Sequence, residues 1–478
     1  MSRNLDTLKT IDNDLVSRFA AIVGDAHALT IPDDQRPYLI EWRDRFVGKT
    51  PVVLRPGSVS EVCAIVRLAG ETGTGLVPQG GNTGLVGGQI PFETGTDVVV
   101  SLTRLNAIRD VDTDGNTLVA EAGVTLQAVQ DAAAARDRFY PLSLASEGSC
   151  QIGGTLATNA GGTGVLAYGS ARDLCLGIEA VMPDGRVYDG LNRLRKDNTG
   201  YDLKDLLIGS EGTLGIITAA VLKLHPKPNA IETVFAGVET PDKALSLFNR
   251  LREATGPMLT AFEFIPRIGL DYVLRYAPGS RDPFNDRHPW YALIEVSSGV
   301  DHGLRERLET TLTEAFETGE ISDAALAETE SQRTDFWHLR TMLSEVQRYE
   351  GGSIKHDVSV PVSHVPAFIA EASEAVIEMV PGARPVPFGH LGDGNVHFNV
   401  SQPVGADRPA FLARWEEMND LVHAIVLKHG GSISAEHGIG RMKRNELARV
   451  KSPVALDLMR AIKAAIDPKG IMNPGKLL

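Results

Sequence analysis

Gly153-Gly154-Thr155-Leu156-Ala157-Thr158-Asn159-Ala160-Gly161-Gly162-Thr163-Gly164 sets glycines at both ends of a short run and interleaves Thr155 and Asn159. Two other patches share this texture, Pro78-Gln79-Gly80-Gly81-Asn82-Thr83-Gly84-Leu85-Val86-Gly87-Gly88 and Gly209-Ser210-Glu211-Gly212-Thr213-Leu214-Gly215-Ile216-Ile217. Where side chains are missing, a ligand can approach the backbone closely, and successive N–H groups form a concavity that holds diphosphate oxygens. One patch alone reads as a set of tight turns. Three together, with Asn82, Thr83, Ser146, Thr155 and Asn159 interleaved, point to a dinucleotide. None carries Gly-x-x-x-x-Gly-Lys-Ser/Thr or a Gly-x-Gly-x-x-Gly strand-to-helix pattern with an acid about 20 positions later, so a P-loop or Rossmann site is unsupported.

Around these patches, residues from about 50 to 228 hold short β-like runs such as Val52-Val53-Leu54, residues 97–102 and Ile216–Leu222. Two prolines in Leu224-His225-Pro226-Lys227-Pro228 mark a boundary. Beyond it the texture changes. Strand runs at 233–235, 261–264, 292–296 and 354–360 alternate with amphipathic helices at 241–254, 303–317, 329–348, 364–379 and 409–429, which predicts an α+β sheet with helices on one face. The expected domains are 1–228, 229–430 and a last segment, 431–478.

A chain of 478 residues exceeds one ordinary core, and 43% hydrophobic with 23% charged residues is globular composition. A net charge of -14 without a Lys/Arg run argues against nucleic acid as a partner. Cys63, Cys150 and Cys175 are widely separated, which excludes a cysteine-ligated iron–sulfur cluster within the chain and fits a reducing compartment, read here as cytoplasmic. Leu5, Leu8, Ile11, Leu15, Phe19 and Ile22 fall at helical spacing among acids, so the N-terminus reads as a packed helix and as neither a signal nor a transit peptide. No apolar run is long enough for a transmembrane segment.

Farther on stand two histidines around a turn, in Phe388-Gly389-His390-Leu391-Gly392-Asp393-Gly394-Asn395-Val396-His397-Phe398-Asn399. If Asp393-Gly394 is a two-residue turn, Gly392 pairs with Asn395, Leu391 with Val396, and His390 with His397. Directly opposed Cβ atoms lie about 4.5–5.5 Å apart, close enough for both rings to reach one metal ion, with a remote glutamate completing a two-His, one-carboxylate set. From spacing alone, a metal clasp and two strand histidines satisfied by neighbours are equally good readings.

Taken in order, residues 78–84, 153–162, 209–215, Gly-His-x-Gly-Asp-Gly-Asn-x-His at 389–397, Glu436-His437-Gly438 and Asn473-Pro474-Gly475-Lys476 resemble the vanillyl-alcohol-oxidase-type FAD superfamily. Within it the chain is most similar to the D-2-hydroxyglutarate and D-lactate dehydrogenases. The resemblance runs from about residue 40 to the C-terminus. It implies a two-part FAD-binding domain, built from the N-terminal portion and the returning C-terminal segment, plus an α+β substrate (cap) domain with an antiparallel sheet. It places FAD against Pro78, Gln79, Gly80, Gly81, Asn82 and Thr83, with further contacts from Gly87, Ser146, Gly148, Gly153, Gly154, Asn159, Gly162, Gly169, Glu211, Gly212, Ile217 and Asn473. Some superfamily members attach the flavin through a histidine in the first loop; this loop has none, so non-covalent FAD is expected.

Oxidising a 2-hydroxy acid removes the hydroxyl proton and moves a hydride from the same carbon to flavin N5, and a divalent cation on the hydroxyl oxygen eases the first step. With the resemblance in support, His390, His397 and Glu436 are expected to ligate the metal, zinc by preference, and His437 to be the general base. In a regular strand Glu436 and His437 would point to opposite faces, a tension that a bend at Gly438 would relieve. Asn399, on the same strand face as His397, is placed to bind a carboxylate. Arg340 and Lys355 match the family's carboxylate-binding positions, and Ser344 stands where the family has a threonine.

The expected reaction is FAD- and metal-dependent oxidation of a D-2-hydroxy acid to the 2-oxo acid, on D-2-hydroxyglutarate or D-malate. The alternatives are D-lactate or glycolate as substrate, or a non-catalytic flavin- or metal-binding protein. Electrons are expected to leave to an acceptor protein or a quinone, and a homodimer is expected from the family.

Overall fold

A computed structural model of the chain describes residues 11–300 and 303–478. Leu5 and Leu8 of the expected N-terminal helix therefore lie outside the described residues. Leu15, Phe19 and Ile22 of that pattern lie in the helix Asn13–Val23 and Ile11 precedes it; the helix is capped by the Asp12 carboxylate, which accepts from Leu15 N at 2.8 Å, and it buries Phe19 and Val23. The chain divides into two compact units: one comprises the chain up to Gly161, Ser170–Pro226 and His437–Leu478, the other Gly162–Gly169 and Lys227–Glu436.

The first unit contains a four-stranded sheet in the order Ala28–Leu29, Val53–Leu54, Asp97–Ser101 and Gly75–Gln79, the last three running parallel. The helix Val59–Thr72 makes the crossover between two of these strands. Ser58 caps its start, Gly73 ends it in the left-handed region, and its buried Val62, Ile65, Val66 and Ala69 join the core with Val98 and Val100. A second sheet is antiparallel, ordered Ile108–Asp112, Thr117–Glu121, Ile216–Lys223, Cys175–Val181 and Val187–Gly190. The C-terminal stretch returns onto the first sheet: Leu76 N donates to Ile471 O at 2.8 Å, and Asn473 N to Leu76 O at 2.8 Å.

The second unit is built on seven antiparallel strands in the order Asp323–Leu326, Ala230–Val238, Trp290–Ser298, Leu259–Pro266, Arg384–His390, Asn395–Ser401 and Ser353–Ser359. Helices cover both faces, where the sequence reading expected one. Helices Pro241–Thr255, Leu304–Glu317, Val365–Met379 and Trp415–Lys428 pack against one face, through Phe248, Leu308, Phe368 and Val422. Helix Arg267–Tyr276 and the pair Glu330–Thr341 and Leu343–Val346 pack against the other, through Tyr272, Leu339 and Val346. The helix expected at 329–348 is thus broken, and its apolar residues serve a second, smaller core.

The unit boundaries also differ from those expected. Residues 162–169 join the second unit, with Leu166 packed against its core. Residues 431–436 stay with it because Ser359 and Ser432 exchange backbone hydrogen bonds at 3.1 and 2.8 Å.

Lys476 anchors the returning segment. The residue is 2% exposed, and its ammonium donates to Ile90 O at 2.6 Å and lies 4.1 Å from the centre of the Phe92 ring. Burial, reinforced by nearby Arg441, pushes its pKa down to about 7. The unfolded chain holds this proton to about pH 10.4, so between these values the unfolded state binds the extra proton and stability rises with pH, by up to about 1.4 kcal/mol per unit. Lys476→Met removes that slope. The difference in Tm between wild type and variant is expected to move in the wild type's favour as the pH is raised from about 7 to 9, and a gap that does not change with pH would refute a buried, titrating ammonium.

Candidate active site

His390 ends the strand Arg384–His390, and His397 is the third residue of Asn395–Ser401. The link between them is not a two-residue turn. Leu391–Asp393 forms a single 3-10 turn, Gly394 sits at φ 82°, and the Asp393 carboxylate accepts from Asn395 N at 3.0 Å. A Cβ on Gly394 would meet Val360 O at 2.2 Å, so only glycine fits. The observed register pairs His390 with Asn395 and Phe388 with His397. That is two residues away from the expected pairing, and a shift of two leaves every side chain on its face. The imidazoles become diagonal neighbours, with centroids 5.4 Å apart and planes at 77°.

Glu436 comes from a segment pinned to the neighbouring strand. Its N–H donates to Asp357 Oδ2 at 3.0 Å, and Oε1 accepts from Gly162 N at 2.6 Å and lies 4.0 Å from His390 Nε2. One ligand atom each from His390, His397 and Glu436 fall within 4.8 Å of one another, with Nε2 and Oε1 separated by about twice a zinc–ligand bond. Each imidazole has a carboxylate behind it. Glu263 Oε1 is 2.5 Å from His390 Nδ1, and Asp357 Oδ1 is 3.8 Å from His397 Nδ1 while accepting from Asn395 Nδ2 at 3.1 Å.

The electrostatics describe a site with more carboxylate than its own cations balance. Burial pushes Glu436 up, opposed by His390 and reinforced by Asp357 and Asp393, and burial likewise raises Asp393. Burial by itself would lower His390, but the Glu263 carboxylate outweighs it and holds the imidazole up to about 9. Glu263 is held below its usual range despite burial, by Arg340 and His390. Two imidazoles and a carboxylate with acidic residues around them are a donor set that fits a divalent cation.

The expected base, His437, follows Glu436 directly and opens the last stretch of the first unit. The chain there is not a strand, and Gly438 at φ 79° turns it, so strand alternation does not constrain the two side chains.

Of the expected anion contacts, Lys355 lies directly across the ladder from Asn399, two residues along from the Asp357–His397 pair. Its Nζ donates to Ser344 O at 3.0 Å, which brings Lys355 and Ser344 together. Asn399 is buried, and its Nδ2 is committed to Gln347 Oε1 at 2.9 Å. Arg340 is not a solvated cation. It is 6% exposed, donates from Nε to Glu263 Oε2 at 2.7 Å, and lies 5.0 Å from the centre of the Phe388 ring.

In the first unit, none of the backbone N–H groups of Gly80, Gly81, Asn82, Thr83 and Gly84 has a partner among the described residues. Five successive free donors fit a diphosphate. Asn82 is left-handed at φ 55°, and its side chain points away from that row to hold Pro37 O and Ile40 O at 2.9 Å each. Gly81 packs where a Cβ would lie 1.8 Å from Ser149 O, whereas Gly148 and Gly154 face open space.

Other expected flavin contacts have occupations within the protein. Gln79 donates to Tyr38 O and Gln89 O, and the Ser146 carbonyl accepts from Ser149 N and Cys150 N. The Asn159 side chain accepts from Ser170 Oγ and Arg172 N. Gly153, Gly87 and Gly212 are packing glycines, against Ala122, Phe46 and Pro78 respectively, and Ile217 is a buried strand residue paired with Ala180. The Glu211 carboxylate accepts from Ile439 N and Gly440 N at 2.8 and 2.7 Å, and Asn473 Nδ2 donates to Gly88 O and Glu211 O, so both tie the returning segment down. Gly162 and Gly169 bound the piece of chain that belongs to the second unit, and the Gly162 N–H is spent on Glu436.

Sequence reasoning missed Glu263 and Asp357. The signal for Glu263 was an acid inside Ala261-Phe262-Glu263-Phe264-Ile265; Asp357 stood out only by sharing a strand face with Lys355.

Residues 227–477 match the FAD-linked oxidases, C-terminal domain, and residues 50–190 the FAD binding domain. The chain is 36% identical over 469 residues to the mitochondrial D-2-hydroxyglutarate dehydrogenase of Arabidopsis thaliana, covering 98% of this chain and 82% of that one. It is 38% identical over 453 residues to the D-2-hydroxyglutarate dehydrogenase of Xanthomonas citri pv. viticola, covering 94% and 93%. Among solved structures, p-cresol methylhydroxylase with substrate bound superposes with a TM-score of 0.78 at 19% identity, over 97% of this chain and 96% of that one, a likeness of fold.

A proton held on His390 up to about pH 9 has to leave before a cation can bind at Nε2. Below that pH, zinc affinity measured by competition with a chromophoric chelator is expected to rise about tenfold or more per pH unit and to level off near 9. An affinity flat between about pH 7 and 9 would show that Glu263 does not hold a proton on His390 in that range.

Proposed function

We propose that this chain, which belongs to the FAD-linked oxidase family, oxidises a D-2-hydroxy acid to the 2-oxo acid, with D-2-hydroxyglutarate or D-malate as substrate and a divalent cation at His390, His397 and Glu436. The supporting observation is the ladder of the second unit. The Asp357–His397 pair and the Lys355–Asn399 pair are successive on one face, about 7 Å apart along the strands. A four- or five-carbon diacid can hold its hydroxyl end at the first pair and its far carboxylate at the second, whereas D-lactate has no group to reach it.

Lys355 and the terminal nitrogens of Arg340 bind the distal carboxylate, and Asn399 orients it. His390, His397 and Glu436 would hold the cation, whose chemistry when bound is to lower the pKa of the substrate's α-hydroxyl. His437 takes the hydroxyl proton. Bound FAD would supply the hydride acceptor, at N5. Binding without a covalent link is supported by the absence of histidine in the loop 78–88.

Electrons then leave to an acceptor protein or a quinone, and the active form is a homodimer. Three buried free thiols support a reducing compartment, in our reading the cytoplasm, although the Arabidopsis relative is named mitochondrial. Among the described residues no helix is long and apolar enough to cross a membrane.

Anaerobic addition of D-2-hydroxyglutarate or D-malate is expected to bleach the flavin absorbance. The bleaching should be slowed by chelation and slowed about 100-fold or more in His437→Ala. Faster bleaching by D-lactate would overturn the dicarboxylate choice, and bleaching by none of the three would favour a non-catalytic flavin protein.

A further inference from the structure

Glu263 is the acid that the proposed mechanism does not use. It stands mid-strand among Phe262, Phe264 and Ile265, 1% exposed and directly across the ladder from His390. Each of its oxygens has one partner: Oε1 lies 2.5 Å from His390 Nδ1, and Oε2 accepts from Arg340 Nε at 2.7 Å. We propose that Glu263 is a positioning residue that couples the cation site to the anion site, so that one buried carboxylate sets both the metal affinity of His390 and the selectivity of Arg340 for a dicarboxylate. This rests on the function proposed above.

A carboxylate facing a guanidinium accepts hydrogen bonds and does not donate them. His390 must therefore present Nδ1–H to Glu263, so the nitrogen left for a cation is Nε2, on the side of Glu436. By the same bond Arg340 commits its Nε. Among the described residues it makes no other hydrogen bond, so its two terminal nitrogens are presented as a fork. Phe388 steadies the arrangement from the next strand, lying beneath the guanidinium with its ring centre 5.2 Å from that of His397. The cation ligand and the anion receptor are therefore oriented by opposite ends of one side chain.

A core role, neutralising a buried arginine and nothing more, predicts lost stability with the binding of zinc unchanged. The test uses the full FAD-loaded chain stripped with a chelator, in wild type, Glu263→Gln and the double variant Glu263→Gln/Arg340→Met. The double variant removes the unpaired cation that could prevent the single variant from folding. Zinc(II) affinity, measured by competition at about pH 9.5 so that a proton on His390 does not compete, is expected to fall about 10- to 100-fold in both variants. The kcat/KM ratio of D-2-hydroxyglutarate to D-lactate is expected to fall about tenfold or more in Glu263→Gln.

Zinc affinity within twofold of wild type in a folded variant, or an unchanged substrate ratio, overturns the coupling. A wild type that takes up no zinc, or His397→Ala that takes it up undiminished, overturns the proposed function itself.

Discussion

Charge removed from water has to be matched where it stands, and the sheet of the second unit separates its two faces accordingly. On one face Ile354, Val358, Val396, Phe398 and Val400 pack against helices with no acid among them. On the other, Asp357, His397, Asn395, His390 and Glu263 occupy successive or opposed positions on four neighbouring strands. Period-two alternation makes this division automatic once the register is set. Any slip by one residue would bury the carboxylates among the helices, at a cost no local adjustment could offset. The register and the acid–imidazole pairing therefore hold each other in place.

The first unit works by a different rule. Its glycine-rich loops offer backbone rather than side chains, and the side chains among them are mostly turned to internal tasks. Asn82 braces residues 37–40, Asn159 receives Ser170 and Arg172, and Glu211 clasps Ile439 and Gly440. What remains for a ligand is the row of amides from Gly80 to Gly84 and the bare surfaces of Gly148 and Gly154. The residues beside this cradle are satisfied within the protein.

Much of this was legible in the chain, and the failures have physical causes. The three glycine patches, the expected strands and the helices at 241–254, 303–317 and 364–379 rest on local conformational preference and emerge near their expected bounds, whereas those at 329–348 and 409–429 are each broken in two. The hairpin pairing failed because Asp393-Gly394 looked like a complete turn, whereas Asp393 caps Asn395 and a 3-10 turn lengthens the connection. His390 and His397 still met, since the error was an even number of residues. Motif position assigns Arg340 and Glu211 a ligand contact each, but not the partners behind them. Position along the chain does not reveal that a residue distant in sequence, Glu263 in one case and Gly440 in the other, holds the side chain from behind.

By itself the sequence determined which conformations the backbone favours locally, which residues carry charge, and which faces of its strands and helices are apolar, because these depend on each residue and its near neighbours. From that alone follow the α+β class, the glycine cradle and the candidate histidine pair His390 and His397, whereas Glu436 as their third ligand is what the family resemblance implies. Only the tertiary structure decided what stands behind them. Glu263 reaches His390 across 127 positions of chain, and Glu211 reaches Gly440 across 229. Such pairings are set by strand order and by the return of the C-terminal segment, which arise from packing the whole chain and leave no periodicity in it to read.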